Sequence, residues 1–231
     1  MTKATPQEDV KPAPARRRRA DAAIRKSADA IVAAARELFL AEGYDGVNLD
    51  RIAECARVSR QTVYNRFGSK EAVFRAVVER HWENLRSADL VSFSSQDPDA
   101  RDPVRVLRRF ADAIHRFVTE SDQISFTRLV IAESRRLPWI AHDFYRLGKE
   151  PALAAFAAAL GAMTEAGALA CPDAELAAHQ FLGLLQEFII WPHVMAIGEA
   201  SSRLPAPEIV ITEAIATFMS RYGRAAPGAG S

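Results

Sequence analysis

Cysteine is scarce in this chain: of 231 residues, only Cys55 and Cys171. Neither has a second Cys or a His at metal-ligand spacing, so the sequence offers no disulfide framework and no metal site. Cys55 falls in a short helical segment and is expected to be a small core residue. A glycine-rich phosphate loop is missing, as are a GxSxG elbow, an HExxH pair and any paired-carboxylate site. The histidines, His81, His115, His142, His179 and His193, are scattered. These absences argue against an enzyme, and nothing calls for a cofactor. Long apolar runs are missing too. The longest uncharged stretch, Pro151–Thr164, is too short to span a bilayer. Arg16–Arg19 leads into Ala, Asp and more charge, not into the apolar centre of a signal peptide. A soluble, cytoplasmic protein with no membrane partner is expected. No alternating strand pattern occurs, which leaves an all-α fold.

The formal net charge of +1 hides an asymmetry. Residues 1–86 hold 17 Lys/Arg against 12 Asp/Glu, and the remainder 13 against 17. A basic front and an acidic rear suit a polyanion at one end only. Residues 1–26 read as a disordered basic extension. Its block Arg16, Arg17, Arg18 and Arg19 is either a solvated tail or an arm that tracks phosphates or enters a minor groove. Helical periodicity then predicts a first helix over Ser27–Ala41 with Ile31, Ala35, Leu38 and Phe39 inward. Ser92–Asp102 is a polar break. Five further segments are expected beyond it, at 103–119, 122–136, 139–165 with Gly148 as a breaking point, 173–199 and 206–222. The tail 224–231 should be flexible.

The most informative stretch is Val58–Lys70. Ser59 is a good N-cap, and Gly68 can close the short helix it starts. Within 60–67, Val63 and Phe67 share one face. Gln61 and Asn65 point the opposite way, with Tyr64 and Arg66 on the flanks. Before it, Asn48 caps a two-turn helix whose Leu49, Ile52, Ala53 and Ala56 form an apolar face. Helix, short turn, helix with a polar outer surface is a helix-turn-helix arrangement, suited to a DNA major groove. Ser69 then caps a fourth helix, with Lys70 in its first turn, where a side chain and free amides can grip a phosphate. His81 in that helix reads as a satisfied core histidine.

Leu38-Phe39, Gly43-Tyr44, Ile52-Ala53, Val58-Ser59, Thr62-Val63-Tyr64, Phe67 and Ser69-Lys70-Glu71 resemble the TetR family of transcriptional regulators over Ala28–Val78. Many residue types agree at fixed spacing, which a generic helix-turn-helix would not give. The resemblance implies that Arg60, Gln61, Tyr64 and Asn65 face bases. It implies that Asn48, Thr62, Arg66 and Lys70 hold phosphates. One position departs from the pattern: Arg57 stands where the family usually has Gly. If that residue must be left-handed, Arg costs about 1 kcal/mol more than Gly. Either the turn differs or Arg57 has a compensating contact, a DNA phosphate being one option.

Phe126–Gly148 and Gly167–Pro192 resemble the C-terminal domain of an AefR-like branch of that family. This implies a head at 27–72 and an all-helical effector-binding and dimerisation domain at 73–223, about nine helices in total. The residues point the same way. Segment 173–199 is apolar nearly all round, and 206–222 has more than one apolar face, so both need cover. Two such helices from each of two subunits would make a four-helix interface. The other reading is a monomer in which both helices are core. Pro192 should kink its helix and open space beside Phe188 and Trp191. Phe126, Leu129, Trp139, Phe144 and Phe181 would line an effector pocket there, with Glu133, Tyr145 or His193 as polar points. Each of these aromatics also suits ordinary core.

The expected protein is therefore a homodimeric repressor. It binds a double-stranded, two-fold operator and is released by a small apolar or amphipathic molecule. Two other readings fit the residues: an architectural DNA-binding protein without an effector, and a sequestering protein whose head has lost DNA.

Overall fold

The computed structural model describes residues 15–85, 102–198 and 203–224. Helix α1 spans Ala15–Glu42, α2 Leu49–Cys55, α3 Arg60–Phe67 and α4 Lys70–Leu85. After them come α5 (Pro103–Glu120), α6 (Gln123–Ser134), α7 (Pro138–Phe144), α8 (Glu150–Glu165), α9 (Ala174–Ile189), the single turn α10 (Trp191–Val194) and α11 (Pro207–Tyr222). No strand occurs among the described residues, only an isolated bridge between Leu169 and Gly223. The all-α expectation holds.

The first helix differs from expectation at its start. It begins at Ala15, so residues 15–26 are helical rather than loose. The reason is local: the Ala- and Arg-rich run from Ala15 has high helix propensity. Residues 22–26 are exposed and add no core. The side chains of Arg16–Arg19 lie outside the described residues, as do the 92–101 break and the tail beyond Arg224.

The expected 139–165 helix is interrupted by a π turn at Tyr145–Lys149. Trp82 on α4 packs against this turn. A Cβ at Gly148 would lie 2.0 Å from its ring, so the chain must be bare of side chain there. The expected 173–199 helix stops at Ile189, and Pro192 sits early in a new turn instead of inside a kinked helix. Cys55 corrects another expectation: at the end of α2 it is exposed, while Cys171 is buried.

One apolar cluster runs through the molecule. In the head it contains Ile31, Phe39, Ile52 and Val63, on α4 Phe74, Val77 and Trp82, and in the body Phe110, Phe156, Phe181 and Phe218. Helix α4 belongs to both halves, with Phe74, Val77 and Val78 fully buried. Burying each such side chain contributes about 1.5–3 kcal/mol.

A seam of aromatic and charged side chains fixes head to body. Trp139 of α7 meets Tyr44 and Phe74 edge-on, with ring centroids 5.4 and 5.7 Å apart. Arg75 donates to Asp143 at 2.6 Å, and its guanidinium lies 5.0 Å from the Trp139 ring. Burial raises the Asp143 pKa, but hydrogen bonds from Arg75 and His142 outweigh it and hold the carboxyl below its ordinary range. Asp45 pairs with Arg136, and Arg36 with Asp122.

Candidate nucleic-acid interface and interior cavity

The turn between α2 and α3 is built as a helix ending. Asn48 caps α2 by accepting the Arg51 backbone N–H at 3.0 Å, which leaves its side-chain NH2 free to donate elsewhere. Val58 N–H closes onto the Ala53 carbonyl at 2.9 Å. Arg57 between them has φ +54°, in the left-handed region. Arg57 therefore does adopt the left-handed conformation, at a cost of about 1–2 kcal/mol relative to a right-handed residue.

Helix α3 is held at both ends. Ser59 Oγ accepts the Thr62 N–H at 3.1 Å and shares a 2.8 Å hydrogen bond with the Thr62 hydroxyl. Gly68, at φ +74°, donates its N–H to the Tyr64 carbonyl at 2.7 Å. Val63 is fully buried, and Phe67 is half-buried against the same core. The opposite face is open: Arg60, Gln61, Tyr64 and Asn65 are all exposed, Tyr64 by 57%. Gln61 Nε2 donates to Asn65 Oδ1 at 2.6 Å, so the two amides stand side by side. Arg60 pairs with Asp50 at 3.2 Å. Thr62 and Arg66 are half-buried at the edge, and Arg66 Nε is enclosed without a partner.

Lys70 opens α4 beside this surface. Its amine donates to the Tyr44 carbonyl at 3.0 Å and stands 4.2 Å from the Tyr44 ring centroid. Two ammonium N–H groups remain for another acceptor. Burial, with the charge of Glu71 behind it, pushes the Tyr44 phenol up to about 12, so it stays neutral. Asn48, Thr62, Arg66 and Lys70 thus border the exposed face of α3 from α2, α3 and α4.

Models of two families match the chain. Residues 31–77 match the bacterial regulatory proteins of the tetR family, and residues 105–224 match the AefR-like transcriptional repressor, C-terminal domain. The chain belongs to the TetR family. This TetR-family chain is a DNA-binding transcriptional regulator, and such regulators are transcription factors, not enzymes. It is 30% identical to the flavonoid-responsive regulator FrrA, covering 87% of this chain and 98% of that one, with a TM-score of 0.69. A TetR-family regulator from Mesorhizobium loti is 25% identical over 87% of this chain and 98% of its own, with a TM-score of 0.68. The transcriptional activator FasR of Mycolicibacterium smegmatis is 40% identical over 57 residues, which is 25% of this chain and 26% of that protein. The chain thus aligns with about a quarter of that curated relative's length.

In the regulator's body, a cavity of about 140 Å³ lies between α4, α5, α6, α8 and the α9–α10 junction. Helix α5 supplies Phe110, Ile114, Phe117 and Val118, one stripe at helical spacing. Trp82 comes from α4, Lys149 from the π turn, and Leu182 and Gln186 from α9. Gln123 and Thr127 add a polar edge. Gln123 Oε1 accepts His81 Nε2–H at 2.8 Å, which fixes that tautomer, and its amide donates to Thr127 Oγ1 at 3.1 Å. Burial pulls the His81 pKa down to about 4 against the opposing Gln123 hydrogen bond, so it is a neutral, satisfied core histidine.

Of the residues expected to line a pocket, Phe144 and Trp191 do so. The structure places the others elsewhere. Phe126 is buried against the His81 ring, and Leu129 is core. Phe181 is enclosed by Phe156 and Phe218. Glu133 and Trp139 belong to the seam, where Glu133 accepts the Tyr44 N–H at 3.1 Å. Tyr145 is exposed, and so is His193, whose carbonyl accepts from Arg128. Phe188 is 39% exposed in an outer groove with Leu184, Pro205 and Ile209. The physical reason is that α9 ends before Pro192, so no kink opens beside Phe188. The cavity forms instead under α5, whose stripe of large apolar residues was the legible signal for it.

Proposed function

We propose that this regulator is a homodimeric repressor in the cytoplasm that places two copies of α3 in successive major grooves of a two-fold operator, about 34 Å apart or somewhat more. The observation that carries this is α3 itself: one face is anchored through Val63, and the other presents Arg60, Gln61, Tyr64 and Asn65 to solvent. Those four would contact bases. Asn48, Thr62, Arg66 and Lys70 would hold phosphates on either side, and the Arg16–Arg19 stretch of α1 would follow the backbone. The units are a DNA-binding head at 27–72 and a body at 73–223.

Pairing through α9 and α11 is supported by the apolar surface they leave open. Leu176, Phe188 and Ile209 are 52%, 39% and 56% exposed, more than a solitary subunit gains from showing. The repressor sign follows the description of the matching C-terminal domain.

The cavity between α5, α6, α8 and α9 is the effector site in this reading, and an apolar aromatic molecule is its occupant. The aromatic lining supports this, as does the likeness to a regulator described as flavonoid-responsive. Occupation would favour a body whose heads are wrongly spaced for DNA, with a coupling of about 1–3 kcal/mol. Helix α4 carries the change, since Trp82 lines the cavity and Lys70 borders the DNA face.

The test is to recover genomic duplexes bound by the full chain and to transcribe from one of them in vitro. Added protein should lower transcript, and Tyr64→Ala should abolish both recovery and the effect. Unchanged or raised transcript would contradict repression.

A further inference from the structure

Lys149 closes the π turn and lines the cavity wall. It is half-buried, and its amine has neither a hydrogen bond nor an ion pair among the described residues. Among the described residues, no Asp or Glu lines the cavity. Its neighbour Arg146, by contrast, is exposed and lies 3.6 Å from the Asp143 carboxylate. Burial alone holds the Lys149 pKa below that of an ordinary lysine. An ammonium in apolar surroundings is costly unless an anion meets it. The described residues supply no such anion at this place.

The turn that carries Lys149 packs against a wall of the cavity. Trp82 lines the cavity, and its ring packs on Gly148, the residue before Lys149. π turns of this kind occur mostly as single-turn insertions inside α-helices, frequently at functional sites. Sharing the cavity wall with Lys149 are the rings of Trp82, Phe110 and Phe117 and the amides of Gln123 and Gln186. The volume of about 140 Å³ is close to the ~150 Å³ at which a dry apolar cavity takes up benzene.

We propose that this cavity takes a small organic monoanion with a one-ring apolar body, an aromatic carboxylate or a phenolate, whose charge pairs with the Lys149 ammonium. The ring fills the space between the aromatic side chains, where edge and face contacts favour it. The oxygen atoms accept from Lys149 and from the side-chain NH2 of Gln186. The proposal rests on the reading of the cavity as the effector site.

The test is calorimetric titration of the full chain with benzoate, 4-nitrophenolate and the neutral isostere benzamide. At least one of the two anions should bind tenfold or more tighter than benzamide, and which one does so separates carboxylate from phenolate. Lys149→Met should erase that preference while leaving benzamide within about twofold, and Lys149→Arg should keep it. Benzamide binding as tightly as both anions overturns the proposal, and so does a preference that survives Lys149→Met. Absence of binding by all three compounds overturns it as well. The wild-type comparison decides even if Lys149→Met does not fold. Fluorescence anisotropy of a bound duplex separates this from the effector reading. An anion that binds through Lys149 and leaves DNA affinity unchanged sinks the effector reading alone. A neutral aromatic that binds tighter and releases DNA sinks the anion alone.

Discussion

On α3 the polar side chains point outward and are arranged against each other: Gln61 on Asn65, Arg60 on Asp50. In the cavity of the body, Gln123 is paired with His81 and Thr127, but two other polar groups lack partners. Among the described residues, Lys149 has no counter-ion and the Trp82 indole N–H has no acceptor. On the first surface Gln61, Asn65 and Arg60 are already paired before DNA arrives, while the enclosed Arg66 Nε is not. The second is incomplete until something enters. A regulator needs both kinds of site, one stable and one unsettled, and it needs them mechanically joined. The seam of Tyr44, Phe74 and Trp139 joins them.

The largest perturbation of this comparison is to cut the joint. Phe74→Ala removes a fully buried ring and should cost about 3–5 kcal/mol in guanidinium titration. The loss should appear as one shifted transition, because head and body share a core. Two separate transitions in the wild-type chain would show that the halves are independent.

Acid comes next. Folded His81 titrates at about 4, and the unfolded chain at about 6.5. Below pH 6.5 the unfolded state takes up a proton that the folded state refuses. Stability is therefore full above that pH and falls until about pH 4, by up to about 3 kcal/mol. His81→Gln should flatten this part of the pH profile in thermal melts.

On the DNA side, Gln61→Ala should cost about 1–3 kcal/mol at particular base pairs and little at others. Lys70→Ala should weaken all duplexes alike and reduce the slope of log affinity against log salt by about 0.9. An unchanged slope would leave Lys70 as a clamp on Tyr44 and nothing more.

The smallest effect is a gain. Arg57 holds φ +54°, which Gly adopts freely, so Arg57→Gly should stabilise the head by about 1 kcal/mol. If Arg57 also grips a phosphate, the same change lowers the salt slope. Equal stability would mean that a contact offsets the strain.

The head was legible because its signals are local. Ser59, Gly68 and Val63 act within one short helix, and periodicity alone separates the anchored face from the exposed one. The helical class and most boundaries after Asp102 were legible for the same reason. What failed was long-range. No local feature says that Trp82 sits on Gly148, so neither the π turn nor the placing of Lys149 in the cavity wall can be read from spacing. Trp139 and Phe181 are equally aromatic in sequence, yet one seals a seam and the other a core. Proline at 192 promised a kink, and the helix simply ended first. Ala15–Lys26 looked like a tail because it is charged, although its residues favour helix.

The central claim is that α3 from two subunits reads one duplex. The most direct measurement is selection of the full chain against random duplexes, followed by sequencing. The account predicts an inverted repeat whose half-sites are centred about 34 Å apart or somewhat more, lost with Tyr64→Ala. Enrichment of a single unpaired half-site, or of no sequence at all, would contradict it.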